Sequence, residues 1–144
     1  MGNSINLSIL MPLIPMVMAL FILILLASFN RTINRLTKPV SFLIVFSLLS
    51  SALISSYLYL KKVEGELFLS NYLRPFENSN LALHLSSLTE KIIIFLSLIT
   101  AILIGILFYK LPRQRGYVSL LIGISLISSS IIFAVMGLDF SILI

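Results

Sequence analysis

Between Lys91 and Tyr109 lies a stretch, Ile92 to Phe108, of seventeen residues without a charge, thirteen of them Ile, Leu or Phe. At about −0.3 to −0.6 kcal/mol for each such residue near the centre of a helix, their sum favours membrane insertion by several kcal/mol. With its flanks, from about Leu88 to Tyr109, the stretch reaches the ~20 residues that a helix needs to cross a ~30 Å hydrocarbon core. The basic turn behind it, Lys110-Leu111-Pro112-Arg113-Gln114-Arg115-Gly116, must return the chain across the bilayer.

The rest of the sequence is built the same way. In 144 residues, 59% are hydrophobic and 10% charged, with a mean hydropathy of +1.14. A soluble domain carries roughly a quarter of its residues charged. There is no cysteine and a single histidine, His84, so disulfides, thiolate zinc sites, iron–sulfur clusters and multi-histidine metal centres are excluded. No cofactor site is expected. The net charge of +5 does not point to nucleic acid, because the basic residues sit at helix ends and in short loops, not in a stripe interleaved with aromatics.

Taken in order, the first apolar segment, Leu7 to Phe29, is long enough to span and has no Lys or Arg before it, so it is expected to be a retained span and not a signal peptide. Pro12 and Pro15 stand near its start, where a missing N–H costs little, and the helix proper is expected from about Pro12. A basic linker, Asn30 to Pro39, carries Arg31, Arg35 and Lys38. The second span is expected over 40–60, ending at Lys61-Lys62. The one long loop follows, Lys61 to Leu83, with Glu64, Glu66 and Glu77 against Lys61, Lys62 and Arg74. Its runs Leu67–Leu73 and Leu81–Leu85 flank the turn-rich Glu77-Asn78-Ser79-Asn80, a pattern that predicts a short β-hairpin on the membrane surface. The fourth span is expected over 117–138, before Asp139 and the tail Phe140 to Ile144. The fold class is therefore an all-α membrane protein, a single domain of four transmembrane helices. The basic linkers, with Arg31, Arg35, Lys38, Lys110, Arg113 and Arg115 and no acid, place themselves on the cytoplasmic side and both termini outside by the positive-inside rule.

Small residues recur at helical spacing. Ser47, Ser51 and Ser55 share a face of the second span, Ser97, Ala101 and Gly105 of the third, and Ser119 and Gly123 lie on the fourth with Ser125 and Ser129 beside them. Such stripes let helix backbones approach closely in lipid. A hydroxyl-lined proton or ion path is the rival reading, but it also needs ionisable groups at depth. The candidate ionisable residues at the membrane interface are His84, Glu90 and Lys91, with Glu90 and Lys91 expected to face water or a partner and His84 expected as a hydrogen-bonded spacer at the hairpin–helix junction. Glu90 and Lys91 point about 100° apart on a helix and do not form the favoured i, i+4 pair. Tyr57, Tyr59, Tyr109 and Tyr117 fall at span ends, as in an interfacial aromatic belt. No phosphate-binding loop, nucleophile elbow or zincin motif is present, and no catalytic constellation is found.

The order of these features resembles the N-terminal part of the antiporter-like, chain-5-type membrane subunit of complex I, most nearly the form in the NAD(P)H–quinone oxidoreductase of cyanobacteria and chloroplasts. Met11-Pro12-Leu13-Ile14-Pro15 is similar to that family's Pro-x-x-Pro opening, and Phe29-Asn30-Arg31 with Asn34-Arg35-Leu36 to its first basic linker. His84-Leu85-Ser86-Ser87-Leu88 is similar to the approach to its third helix, and Gly116-Tyr117-Val118 to the opening of its fourth; Ser128-Ser129-Ser130 falls where the family often has a small-polar patch. The chain departs from the pattern at Leu83, where the family has an aspartate, and at Ser119-Leu120, where it continues Arg-Phe. Large subunits of Mrp-type sodium/proton antiporters share the same region.

The resemblance implies about the first four of some sixteen helices, with the family's proton-transfer glutamate and lysine falling beyond Ile144. It thus implies a non-catalytic subunit or fragment, in a thylakoid or plasma membrane. Its partners would be the other membrane subunits of a quinone oxidoreductase or antiporter complex, with no nucleic acid. Two alternatives stand beside it: a small four-helix secondary transporter using Glu90 as its coupling carboxylate, and a structural or assembly membrane protein unrelated to complex I.

Overall fold

The computed structural model of the chain describes residues 7–62, 65–68, 82–110 and 116–137. A 3₁₀ turn, Leu7–Ile9, leads into α1 (Leu10–Ser28), followed by a short α2 (Asn30–Arg35), α3 (Thr37–Leu60), β1 (Gly65–Phe68), β2 (Ala82–Leu85), α4 (Ser87–Lys110) and α5 (Tyr117–Gly137). Four stretches are long and apolar enough to cross a membrane: Leu7–Ser28, Thr37–Leu60, Ser87–Lys110 and Tyr117–Gly137. The protein is an integral membrane protein of the expected all-α class. At 1.5 Å per residue, the 24-residue α3 and α4 are each about 36 Å long, enough to cross the core and emerge at both ends.

The basic linker is not an open connection. Asn30–Arg35 coils into α2, and the chain breaks from helical geometry only at Phe29 (φ −132°, ψ 53°) and Leu36 (φ −90°, ψ 48°). The second span consequently starts at Thr37 and not at Val40. Hydropathy marks where a helix enters hydrocarbon, whereas the helix itself continues into the polar interface through Thr37 and Lys38. Pro39 falls in the first turn of α3, where its missing N–H would have no partner in any case.

β1 and β2 pair antiparallel, with Gly65 opposite Leu85 and Glu66 opposite His84. The first strand begins two residues before the expected Leu67. The expected turn at Glu77–Asn80 lies outside the described residues, as do Arg113 and Arg115, Asp139 and the tail Phe140–Ile144.

The bundle core divides into two layers. Around the end where α1 passes into α3 and α4 into α5, Ala19, Ile22, Ile44, Leu48, Ile104, Tyr117, Val118 and Leu121 pack together. Around the hairpin end, Met11, Leu58, Leu85, Ile93, Ile132 and Met136 form the second cluster. The outer faces are as apolar as the core: Phe42, Phe46, Leu53, Phe95, Ile102 and Ile127 are each more than half exposed. In water that surface would aggregate, and in lipid it is the solvent-facing surface of a spanning bundle.

Candidate functional site

Interior polar groups in hydrocarbon must find partners within the protein, and α1 creates a need for one. Pro15 stands inside α1, six residues into the helix and beyond the first turn, which corrects the expectation that both prolines fall where an N–H is dispensable. Pro15 cannot donate to the carbonyl four residues back, that of Met11. Ser51 of α3 does so instead, its Oγ donating to Met11 O at 2.7 Å. Two further hydroxyls reach the same segment from α5: Ser129 Oγ donates to Pro12 O at 2.8 Å and Ser125 Oγ to Pro15 O at 3.1 Å. All three serines are buried, Ser51 and Ser125 completely. The start of α1 is thereby clamped between α3 and α5 by hydroxyl-to-backbone bonds.

The other small residues divide by what they touch. Ser55 Oγ donates to the main-chain oxygen of Glu90 at 2.9 Å and so ties α3 to the start of α4. Ser47, on the same face, donates back to Ile44 O of its own helix at 2.7 Å. Ser97 is fully buried and its Oγ meets no hydrogen-bond partner among the described residues. Ala101 is buried beside it, whereas Gly105 is half-buried, with open space where a Cβ would stand. On α5, Ser119 is exposed and Gly123 half-buried. Ser128 donates within its own helix, to Ile124 O.

Glu90 does not face water. It is 1% exposed, and it opens the buried stripe of α4 that continues through Ile93, Ser97, Ala101 and Ile104. The spacing of three to four residues was visible in the sequence, but the stripe runs one turn beyond the apolar stretch that marked the span. Lys91, next along, is exposed, with its ammonium 5.5 Å from the Tyr59 ring centroid. The first turn of α4 is capped by Ser86, whose Oγ accepts from Thr89 N at 3.3 Å. Glu90 sits about 4.5 Å along the axis from the first residue of α4, at the positive end of the helix dipole and near the end of the bundle. A cavity of about 290 Å³ adjoins it, lined by Tyr59, Leu60, Lys62, Ser87 and Glu90. His84 is half-buried on β2.

Of the tyrosines, Tyr57, Tyr59 and Tyr109 are exposed at helix ends. Tyr117 is not part of that belt: it is buried in the core, with its hydroxyl 3.4 Å from Ser41 Oγ. Because Ser41 spends its one proton on Thr37 O at 2.7 Å, Tyr117 is the donor in that pair. Its place at a helix start suggested an interface, but α2 folds back over the end of the bundle, bringing Ile33 into the same cluster.

Among the described residues, no group of three or more His, Asp or Glu side chains could hold a metal ion. Ser51, Ser55, Ser125 and Ser129 fix helices to one another, while Ser47 and Ser128 turn back on their own helices; one buried carboxylate, Glu90, lies at the hairpin end. Comparison with family models, with characterised proteins and with solved structures finds no match to this chain.

Proposed function

We propose that this protein is a non-catalytic membrane subunit, or part of one, related to the antiporter-like chain-5-type subunit of NAD(P)H–quinone oxidoreductase. It packs against other membrane subunits of such an oxidoreductase or of a related antiporter complex. The observation that carries this reading is the clamp on α1: Ser51, Ser125 and Ser129 all end on main-chain carbonyls. Hydroxyls used in this way are committed to helix packing and are not a relay for protons. The exposed apolar faces offer surface for further helices. In the membrane, the basic ends of α1 and α4 lie on the cytoplasmic side of a thylakoid or plasma membrane.

Affinity purification of the full chain in mild detergent, with identification of the co-purifying chains, tests this directly. Recovery of quinone-oxidoreductase or antiporter membrane subunits supports it. Recovery of the chain alone, as an isolated oligomer, refutes it in favour of a structural protein of its own.

Burial of Glu90 beside a cavity favours a second reading, a small cation transporter coupled through that carboxylate. Against it stands the position of Glu90 near the bundle end, far from the midplane where such couplings operate. Proton-coupled cation uptake by vesicles containing the purified chain, abolished by Glu90→Gln, would establish the transporter. Absence of uptake by the unaltered chain excludes it.

A further inference from the structure

On the outer surface between α3 and α4, at the basic end of the bundle, is an open groove of about 630 Å³. Phe42, Val45, Ile104, Gly105 and Tyr109 line it, and Lys38 stands at its end. The groove is open over Gly105, where an added Cβ would meet no atom within 4 Å. Along α3 the lining runs from Lys38 to Val45, about 10 Å at 1.5 Å per residue, which matches part of one acyl chain lying against the helices. Lys38 is in the first turn of α3 and Tyr109 in the last turn of α4, so the groove leads from hydrocarbon depth to the headgroup level. Both residues are exposed. The exposed cations Arg31, Arg35 and Lys110 belong to the same end of the bundle, and no Asp or Glu occurs in 28–38 or 108–117 to oppose them.

We infer that this groove is a binding site for an anionic phospholipid, with an acyl chain seated over Gly105 between Phe42 and Ile104 and the headgroup phosphate against the Lys38 ammonium. Charge complementarity decides the occupant. A zwitterionic lipid would fill the apolar part equally well but would gain little at the unopposed Lys38 ammonium, whereas an anionic headgroup gains from it. A protein helix seated here would have to cover Lys38 or supply an acid to it. The inference stands on membrane insertion alone and does not depend on which complex the chain joins.

The test is native mass spectrometry of the full chain, released from detergent after incubation with phosphatidylglycerol or phosphatidylcholine. The unaltered protein is expected to retain phosphatidylglycerol in preference to phosphatidylcholine by about fivefold or more, the equivalent of about 1 kcal/mol for a single surface lysine. Lys38→Ala should bring the two lipids to parity. Gly105→Phe should abolish retention of the bound lipid while leaving the helical circular dichroism unchanged, because its ring enters open space. Equal retention of the two lipids by the unaltered protein overturns the proposal. So does undiminished phosphatidylglycerol retention by Gly105→Phe. Because the chain has no cysteine, Gly105→Cys gives a single reporter thiol. Protection of that thiol by phosphatidylglycerol supports the lipid, and its crosslinking to a co-purified protein in the presence of that lipid refutes it.

Discussion

At the hairpin end, the start of α1 is held by directional bonds: Ser51 from one side, Ser125 and Ser129 from the other. At the basic end, Ala19 and Ile22 of the same helix share an apolar cluster with Val40, Ile44, Leu121 and Ile122, and a polar contact between spans there is the 3.4 Å pair of Tyr117 and Ser41. The shortest of the hairpin-end bonds, from Ser51, answers a vacancy made by Pro15. A proline inside a lipid-embedded helix strands a carbonyl that water cannot reach, so the neighbouring helices must bring donors to it. Where no proline intervenes, α1 satisfies its own backbone, and its neighbours can be apolar: Ala19, Ile22, Ile44 and Leu121 are buried together. One half of α1 is thus held by hydroxyl-to-backbone bonds, and the other by apolar packing.

The strongest way to break this comparison is to remove the donor. Ser51→Ala leaves Met11 O without the hydroxyl that replaces the lost helical bond, and a buried acceptor so stranded costs about 1–3 kcal/mol. Interhelical bonds in membranes average about 0.6 and reach about 1.7 kcal/mol, so a loss of about 1–2 kcal/mol is expected in reversible unfolding by sodium dodecyl sulfate in mixed micelles. The diagnostic is the double mutant. Pro15→Ala restores an N–H facing Met11 O, so adding it to Ser51→Ala should recover at least half of the loss. Strict additivity of the two changes would show that the serine does not stand in for the missing amide.

A smaller effect is expected at the basic end. Tyr117→Phe removes the hydroxyl that donates to Ser41, but Ser41 keeps its own bond to Thr37 O at 2.7 Å and nothing is left stranded. At 3.4 Å the lost bond is long, and the same unfolding measurement should register about 0.5 kcal/mol or less, below the usual worth of about 1 kcal/mol. A loss as large as that of Ser51→Ala would mean that the two halves are held by comparable polar contacts.

Much of this architecture was legible in the chain, for a simple reason. The length of an apolar stretch is a direct measure of whether it spans, and Ile92–Phe108 with its neighbours left one solution, four crossing helices. Less legible were features set by the interface, where hydropathy loses contrast: the coiling of Asn30–Arg35 into α2, the start of α3 at Thr37, and the burial of Tyr117 under that end. Glu90 lies at the helix end, as expected, but its side chain is buried and does not face water, because it continues the spacing of Ile93, Ser97 and Ala101 by one turn. The Pro15–Met11 vacancy needs the helix to begin at Leu10, ahead of the expected Pro12, and which of the many serines fills it depends on how α3 and α5 lie against α1, which no pattern within one helix contains.

Ser47 gives the finest test of the last point, and the smallest expected effect. It lies four residues before Ser51 on one face of α3 and is equally buried, at 1% against 0% exposure, so periodicity cannot separate them. Yet its hydroxyl returns to Ile44 O within its own helix, a bond that supplements the helical ladder and fills no vacancy. Ser47→Ala should therefore change stability by less than about 0.5 kcal/mol, with the gain in helix propensity offsetting the lost back-bond. If Ser47→Ala and Ser51→Ala cost the same, the whole stripe contributes through closeness of packing and the proline has no special part. If they differ by about 1 kcal/mol or more, the worth of a serine in this bundle is set by the backbone opposite it, on another helix.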